Sequence, residues 1–141
     1  MILPDVNVLV NAFRADAPYH AVCRAWLEKI ISQDARFGIS PLVLSAVVRI
    51  TTNRRAFTQP STLSEALGFC DDLLGQPHCE VVSPGTRHWH IFKQACRDAN
   101  ARAGLVTDAW FAALAIEWGC EWITLDRDFA RFPGLKWHAP G

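Results

Sequence analysis

The chain has 141 residues and no net charge: fourteen Lys and Arg balance fourteen Asp and Glu, half of the residues are apolar and 11% are aromatic. That is one domain's worth of sequence, able to bury roughly 68% of the surface that its unfolded chain would expose, so neither disulfide nor structural metal is required for folding. Disorder is excluded by the apolar content, a helical membrane span by the lack of any apolar run near the roughly 18 residues it needs, and a global basic field by the charge balance.

MILPDVNVLV meets an aspartate at its fifth residue, and no basic leader or small-residue cleavage site accompanies it, so the expectation is a cytoplasmic protein without a signal peptide. Met1 to Leu3 reads as a short apolar strand halted at Pro4, and 6–13 as a first short helix. Residues 18–33 carry apolar side chains at 22, 26, 27, 30 and 31, the spacing of an amphipathic helix with Pro18 in its first turn. FGIS (37–40) is a second strand. A third helix is expected from Pro41 to about Arg55, and a fourth behind Ser61 or Thr62, with Glu65 completing a capping box on Thr62. That helix ends near Gly75. CEVVS (79–83) is a third strand, bounded by Pro84-Gly85. Two helices follow, over 86–103 and 107–118, each with a terminating glycine, Gly104 and Gly119. CEWITLD (120–126) is a fourth strand and LKW (135–137) a candidate fifth at the edge. Nothing divides the chain: a single α/β domain over 1–141 is expected, with a mostly parallel sheet covered by helices on both faces.

The five cysteines are odd in number, scattered and without a C-x-x-C pair, which reads as reduced thiols, mostly in the core. His88 and His90 lie two apart on a helix and so face different ways, a poor arrangement for zinc. Eleven of the fourteen basic residues are arginine, a fork suited to phosphate, but the bias alone decides nothing.

The aspartates are more informative. In parallel sheets ligands bind beyond the carboxyl ends of the strands. Asp5 follows the first strand, Asp126 and Asp128 follow the fourth, and Asp108 falls in the first turn of the helix expected from Thr107. Singly, each has a local explanation: a helix cap for Asp5, a helix-dipole partner for Asp108, turn residues for Asp126 and Asp128. Together they fall on one edge, where like charges raise one another's pKa unless a cation neutralises them. Such a set of hard oxygen ligands selects magnesium, or manganese as its substitute.

At these residues the sequence resembles the PIN-domain family, and within it the VapC-type toxins of type II toxin–antitoxin pairs. The matching pieces run in order along nearly the whole chain: the strand with D-x-N (Asp5, Asn7), ISPLVLSAVVRITTN (39–53), V-T-D-A (106–109) opening an alanine-rich helix, and T-L-D-R-D-F (124–129). The resemblance implies a PIN-like three-layer α/β/α sandwich with a mostly parallel sheet of four to five strands. It implies a magnesium-dependent endoribonuclease, usually a homodimer, held inactive by a cognate antitoxin protein. Carried over by position, Asp5 and Asp108 are metal ligands, Asp126 takes the fourth acidic position with Asp128 as its neighbouring candidate, and Asn7 and Thr124 support the site.

One position departs from the pattern. The family usually carries a glutamate three residues before the arginine of its third-helix motif; counting back from Arg49 gives Ala46, and no Asp or Glu lies within 35–64. A site with one carboxylate fewer holds metal more weakly, which favours one ion over two. Phosphate positioning would fall to arginines outside the acids: Arg49, Arg54, Arg55 and Arg87 are candidates, with Trp89 or Trp110 to stack bases. The competing reading is a PIN-fold module that binds RNA or antitoxin without catalysis. A phosphatase of the haloacid-dehalogenase type would need an aspartate where Asn7 stands, and a nucleotide-binding module would need a glycine-rich loop after the first strand.

Overall fold

A computed structural model describes residues 1–141. Five strands form one wholly parallel sheet: β1 (Ile2–Pro4), β2 (Phe37–Ile39), β3 (Cys79–Val81), β4 (Glu121–Ile123) and β5 (Trp137–His138), in the spatial order β3-β2-β1-β4-β5. Six α-helices connect them: α1 (Val6–Phe13), α2 (His20–Ser32), α3 (Pro41–Thr51), α4 (Leu63–Leu74), α5 (His88–Ala99) and α6 (Gly104–Trp118). A 3₁₀ turn, Arg127–Arg131, joins β4 to β5.

The strand order fixes the layers. The chain moves outward from β1 to β2 to β3, then returns across β1 to place β4 on its other side. Because crossovers between parallel strands are right-handed, this reversal puts the helices before β3 and those after it on opposite faces. The packing agrees: α1 lies against α2 and α3, and α3 against α4, whereas α5 pairs with α6. Between them sits a single apolar core in which Leu3, Phe37, Ile39, Leu114, Trp122 and Ile123 are essentially inaccessible to water. The reversal occurs between β1 and β4, and there the crevice beyond the strand ends opens.

Local chemistry explains most boundaries. Asp5 caps α1, and Thr62 and Glu65 form the expected reciprocal capping box on α4. Pro4 has no N–H and closes β1, which pairs with β2 only at Ile2. The helix expected over 18–33 begins at His20, after a turn that contains Pro18. α3 stops at Thr51 rather than near Arg55: the Thr51 and Thr52 hydroxyls donate to the carbonyls of Val47 and Val48, and Asn53 then starts a turn by accepting the Arg55 N–H. Gly119 is the left-handed C-cap of α6, as its position suggested.

The junction of α5 and α6 differs from expectation. α5 ends at Ala99 with Asn100 as its left-handed cap (φ 47°), and Gly104 opens α6 instead of terminating α5. Ala103, with φ 49° and ψ −125°, is the residue under strain, because this backbone region suits glycine and penalises a Cβ. Ala103→Gly is therefore expected to stabilise the protein by about 1 kcal/mol, or roughly 3–5 °C in Tm. Thermal denaturation checks this; an unchanged or lower Tm would mean that the turn carries no strain.

The five cysteines are all free, three of them buried. No helix is long and apolar enough to cross a membrane.

Candidate active site

β1 and β4 run in register from Ile2↔Glu121 to Pro4↔Ile123, and one step further come Asp5 and Thr124. The ladder still holds both backbones there: the Asp5 N–H donates to the Ile123 carbonyl at 2.8 Å, and the Thr124 N–H to that of His138 at 3.0 Å. The two side chains meet at this edge. The Thr124 hydroxyl donates to Asp5 Oδ2 at 2.7 Å, while its oxygen accepts the Asp126 N–H at 3.0 Å. Asn7, in the first turn of α1, spans the same gap. Its Nδ2 donates to Asp5 Oδ2 and Thr124 Oγ1, both at 3.3 Å, and its Oδ1 accepts the Leu125 N–H at 3.1 Å. Asp5 Oδ1 accepts the Val6 N–H at 2.6 Å. The start of α1 and the segment after β4 are thus locked together around one carboxylate.

Thr124 is completely buried and serves three polar groups at once. Thr124→Val keeps the shape and removes all three bonds, stranding the Asp126 N–H and depriving a buried carboxylate of one of its three donors. The expected cost is about 2–3 kcal/mol, whereas Thr124→Ser should lose far less. Urea denaturation of the two variants tests it, and equal midpoints would contradict the network's role.

Asp5, Asp108 and Asp126 all line one open cleft of about 390 Å³. Asp5 comes from the end of β1, Asp108 from α6 and Asp126 from the loop after β4. Because α6 starts at Gly104, Asp108 occupies its second turn, not the first turn of a helix starting at Thr107. Val6, Val10, Ile50 and Phe111 supply apolar walls. Burial therefore dominates the acid–base behaviour. It pushes the Asp5 carboxyl up to about 6, against the lowering influence of the Thr124 and Val6 hydrogen bonds, with repulsion from Asp108 and Asp126 adding to the rise. Asp108 is likewise pushed up to about 6, first by desolvation and then by Asp126 and Asp128.

The other residues singled out from the sequence divide clearly. Arg49 lines the cleft, and so does Ala46, one helical turn before it on α3. Arg54 and Arg55 sit in the exposed turn after α3 and do not line it. Arg87 is tied to the far end of α6: its backbone N–H and its guanidinium both donate to Glu117, at 3.0 Å each, so it is not free to meet a phosphate in the cleft. Asp128 stands at the rim, exposed, donating its N–H to Asp126 Oδ1 at 2.9 Å without lining the cleft. Trp110 is half-buried against His88 and Phe111, whereas Trp89 is 65% exposed. His88 is itself buried, bonded to the Trp110 carbonyl at 3.0 Å.

Besides the apolar wall, the one polar cleft residue that the sequence reading did not touch is Asn11, and Thr107 entered it only as a helix start. Asn11 had a usable signal, since it lies four residues after Asn7 and so shares its helix face; its Nδ2 donates to the Asn7 carbonyl at 2.8 Å.

No three Asp, Glu, His or Cys side chains converge tightly enough to hold an ion by protein ligands alone. The donors facing the cleft are nonetheless oxygen-rich, with no thiol or imidazole among them, a set whose chemistry fits a hard cation that keeps part of its water shell.

A PIN domain matches residues 2–135. The chain is 41% identical over 140 residues to VapC ribonuclease Mb2897 of Mycobacterium bovis, covering 99% of this chain and 95% of the relative. It is 40% identical over 136 residues to ribonuclease VapC25 of Mycobacterium tuberculosis, covering 96% of each. The chain belongs to the PIN-domain family, in its VapC branch. Among solved structures it is similar to VapBC2 from Rickettsia felis bound to a fragment of its promoter DNA, with TM-score 0.72 and 16% identity over the full length of both chains. It is also similar to Mycobacterium tuberculosis VapC20, a sarcin-ricin loop cleaving toxin, with TM-score 0.65 and 16% identity over 96% of this chain and 99% of the other. At that identity the likeness concerns the fold.

Proposed function

We propose that this protein is a metal-dependent endoribonuclease and the toxin of a toxin–antitoxin pair. The observation that carries the reading is the placement of Asp5, Asp108 and Asp126 around one cleft at the point where the sheet reverses direction. The curated relatives at about 40% identity, which carry the name ribonuclease, support it.

Asp5, Asp108 and Asp126 would hold magnesium, or manganese in its place, with Asp128 close enough to add negative potential from the rim. When bound, such an ion lowers the pKa of water and polarises a phosphate oxygen. The chain's own groups do the rest. Asn7 and Thr124 fix the orientation of the Asp5 carboxylate, so that its geometry is set before substrate arrives. Arg49 lines the cleft and makes no ion pair, leaving its guanidinium free to take a non-bridging phosphate oxygen. Water would attack phosphorus in line and give up a proton, the bond to the leaving ribose oxygen would break, and that oxygen would take up a proton, so that one water is consumed and these two proton transfers cancel. No serine, cysteine or histidine faces the cleft to act as nucleophile.

The same reading carries an antitoxin as partner, since the structures of similar fold include VapBC and FitAB complexes, and a second copy of the chain as dimer mate. It is tested with total cellular RNA as substrate, alongside calorimetric titration with magnesium. Cleavage that requires the metal and is lost in Asp5→Ala is the expected result. No binding of magnesium or manganese at millimolar concentration, with no cleavage, would return the chain to the non-catalytic binding module that Ala46 suggested.

A further inference from the structure

The segment Thr124–Arg127 divides two cavities. Asp126 lines the acidic cleft, whereas Leu125 and Arg127 line a second, larger one of about 660 Å³, together with Tyr19, Ala130, Trp137 and His138. A second tether joins them: Asn11 lines the acidic cleft, and its Oδ1 accepts the backbone N–H of Tyr19 at 2.9 Å. The two cavities are therefore adjacent and held in fixed relation by ordered backbone.

Their chemistry contrasts. The cleft presents three carboxylates, while the second cavity is lined by no acid at all. Tyr19 is 57% exposed, and its ring and hydroxyl have no partner. Arg127 is exposed and makes neither ion pair nor side-chain hydrogen bond. Trp137 adds a half-buried aromatic wall, and His138 is held in place by Glu121 at 2.9 Å. An exposed ring, a free guanidinium and an apolar floor are what an unpaired base with its phosphate requires, and every base offers a π-face to stack.

We propose that the second cavity is a nucleobase subsite for single-stranded RNA: a base next to the phosphate in the acidic cleft stacks on Tyr19, and Arg127 takes the adjoining phosphate. The inference rests on the ribonuclease reading, and it adds a binding determinant outside the acids. It also implies that the target strand is unpaired at this point, because a base cannot enter while stacked in a helix.

The test uses the full chain in an Asp108→Asn background with magnesium present, so that RNA stays uncut. Ultraviolet cross-linking to total cellular RNA, followed by peptide mapping, should find adducts on the peptides that contain Tyr19 or Trp137. In fluorescence anisotropy with a labelled 12-nucleotide single strand of mixed sequence, Tyr19→Ala should bind about tenfold more weakly and Tyr19→Phe like its parent. Arg127→Ala should weaken binding and lower the salt slope by about one unit. Both substitutions remove exposed, unpartnered groups, so melting temperatures should not move.

Cross-links elsewhere, with unchanged affinity in both variants, would overturn the subsite and leave the ribonuclease reading intact. Adducts at Tyr19 without metal-dependent cleavage by the otherwise unaltered chain would support the subsite and overturn the enzyme. A parent that binds no RNA would overturn both. A dimer that falls to monomer in Tyr19→Ala, with affinity retained, would assign this face to a contact between copies instead.

Discussion

Asp108→Asn is expected to abolish RNA cleavage, by at least about a thousandfold, and at the same time to make the metal-free protein more stable at pH 7. Removing a carboxylate that would ligate the ion should cost on the scale of other metal-site and charge-stabilising groups. The stability gain follows from proton linkage. Asp108 has its carboxyl raised to about 6 in the folded protein, against 3.8 for an ordinary aspartate. Between those values the folded state retains a proton that the unfolded state has released, so stability falls as pH rises through the window and stays low above it. Asp5 shows the same rise and contributes in the same direction. Such a rise corresponds at most to roughly 3 kcal/mol, which solvent screening at the partly exposed Asp108 reduces to about 1 kcal/mol. Asparagine does not titrate and escapes that part of the loss.

Saturating magnesium should reverse the order, since a ligand that binds only the folded state stabilises it by mass action and the wild type binds it better. Melting curves at pH 4.5 and 7, with and without magnesium, therefore give four differences between variant and wild type with a definite ranking. A variant less stable than the wild type in metal-free buffer at pH 7 would show that Asp108 is not held against its ionisation.

Ala46→Glu should have the opposite signature. Ala46 lines the cleft from α3, with open space where a longer side chain would project and Arg49 three residues on. A glutamate there adds a fourth carboxylate to Asp5, Asp108 and Asp126, tightening magnesium by about 10- to 100-fold, and lowers the metal-free melting temperature by adding repulsion. Arg49 lies at helical pairing distance from it and would be partly neutralised, so phosphate binding should weaken as metal binding strengthens. Calorimetry with magnesium and KM measurements separate the two effects. Equal metal affinity in the variant and the wild type would mean that position 46 lies too far from the ion to matter.

Much of this site's layout is legible in the sequence, and for a physical reason. Short apolar runs ending in aspartate mark strand ends, and parallel strands align those ends on one edge, so Asp5 and Asp126 could be placed together without knowing the fold in detail. The capping box at Thr62 and Glu65 is local and was equally plain. What failed depended on backbone states that residue types do not advertise. Gly104 read as a helix terminator, but the left-handed cap is Asn100, and the strained residue is an alanine. That shift moved Asp108 a turn deeper into its helix. Arg54 was placed on a helix that Thr51 and Thr52 end by turning their hydroxyls back onto it. Arg87 could not be set aside without knowing that Glu117, thirty residues away, holds it. The second cavity was invisible because Tyr19 and Arg127 meet only through tertiary structure.

The bond between Thr124 and Asp5 spans 119 residues of chain. At 5–20 residues per second of synthesis, roughly 6–24 s separate the appearance of the first partner from that of the second. Until β4 emerges, β1 lacks the neighbour that occupies one whole side of it, and Asp5 has neither Thr124 nor Asp126 beside it. An unfinished chain therefore cannot possess the assembled cleft. For a protein read as an enzyme that destroys RNA while being made from it, late closure delays the hazard until the fold is nearly whole, and leaves a central strand uncovered for most of its synthesis.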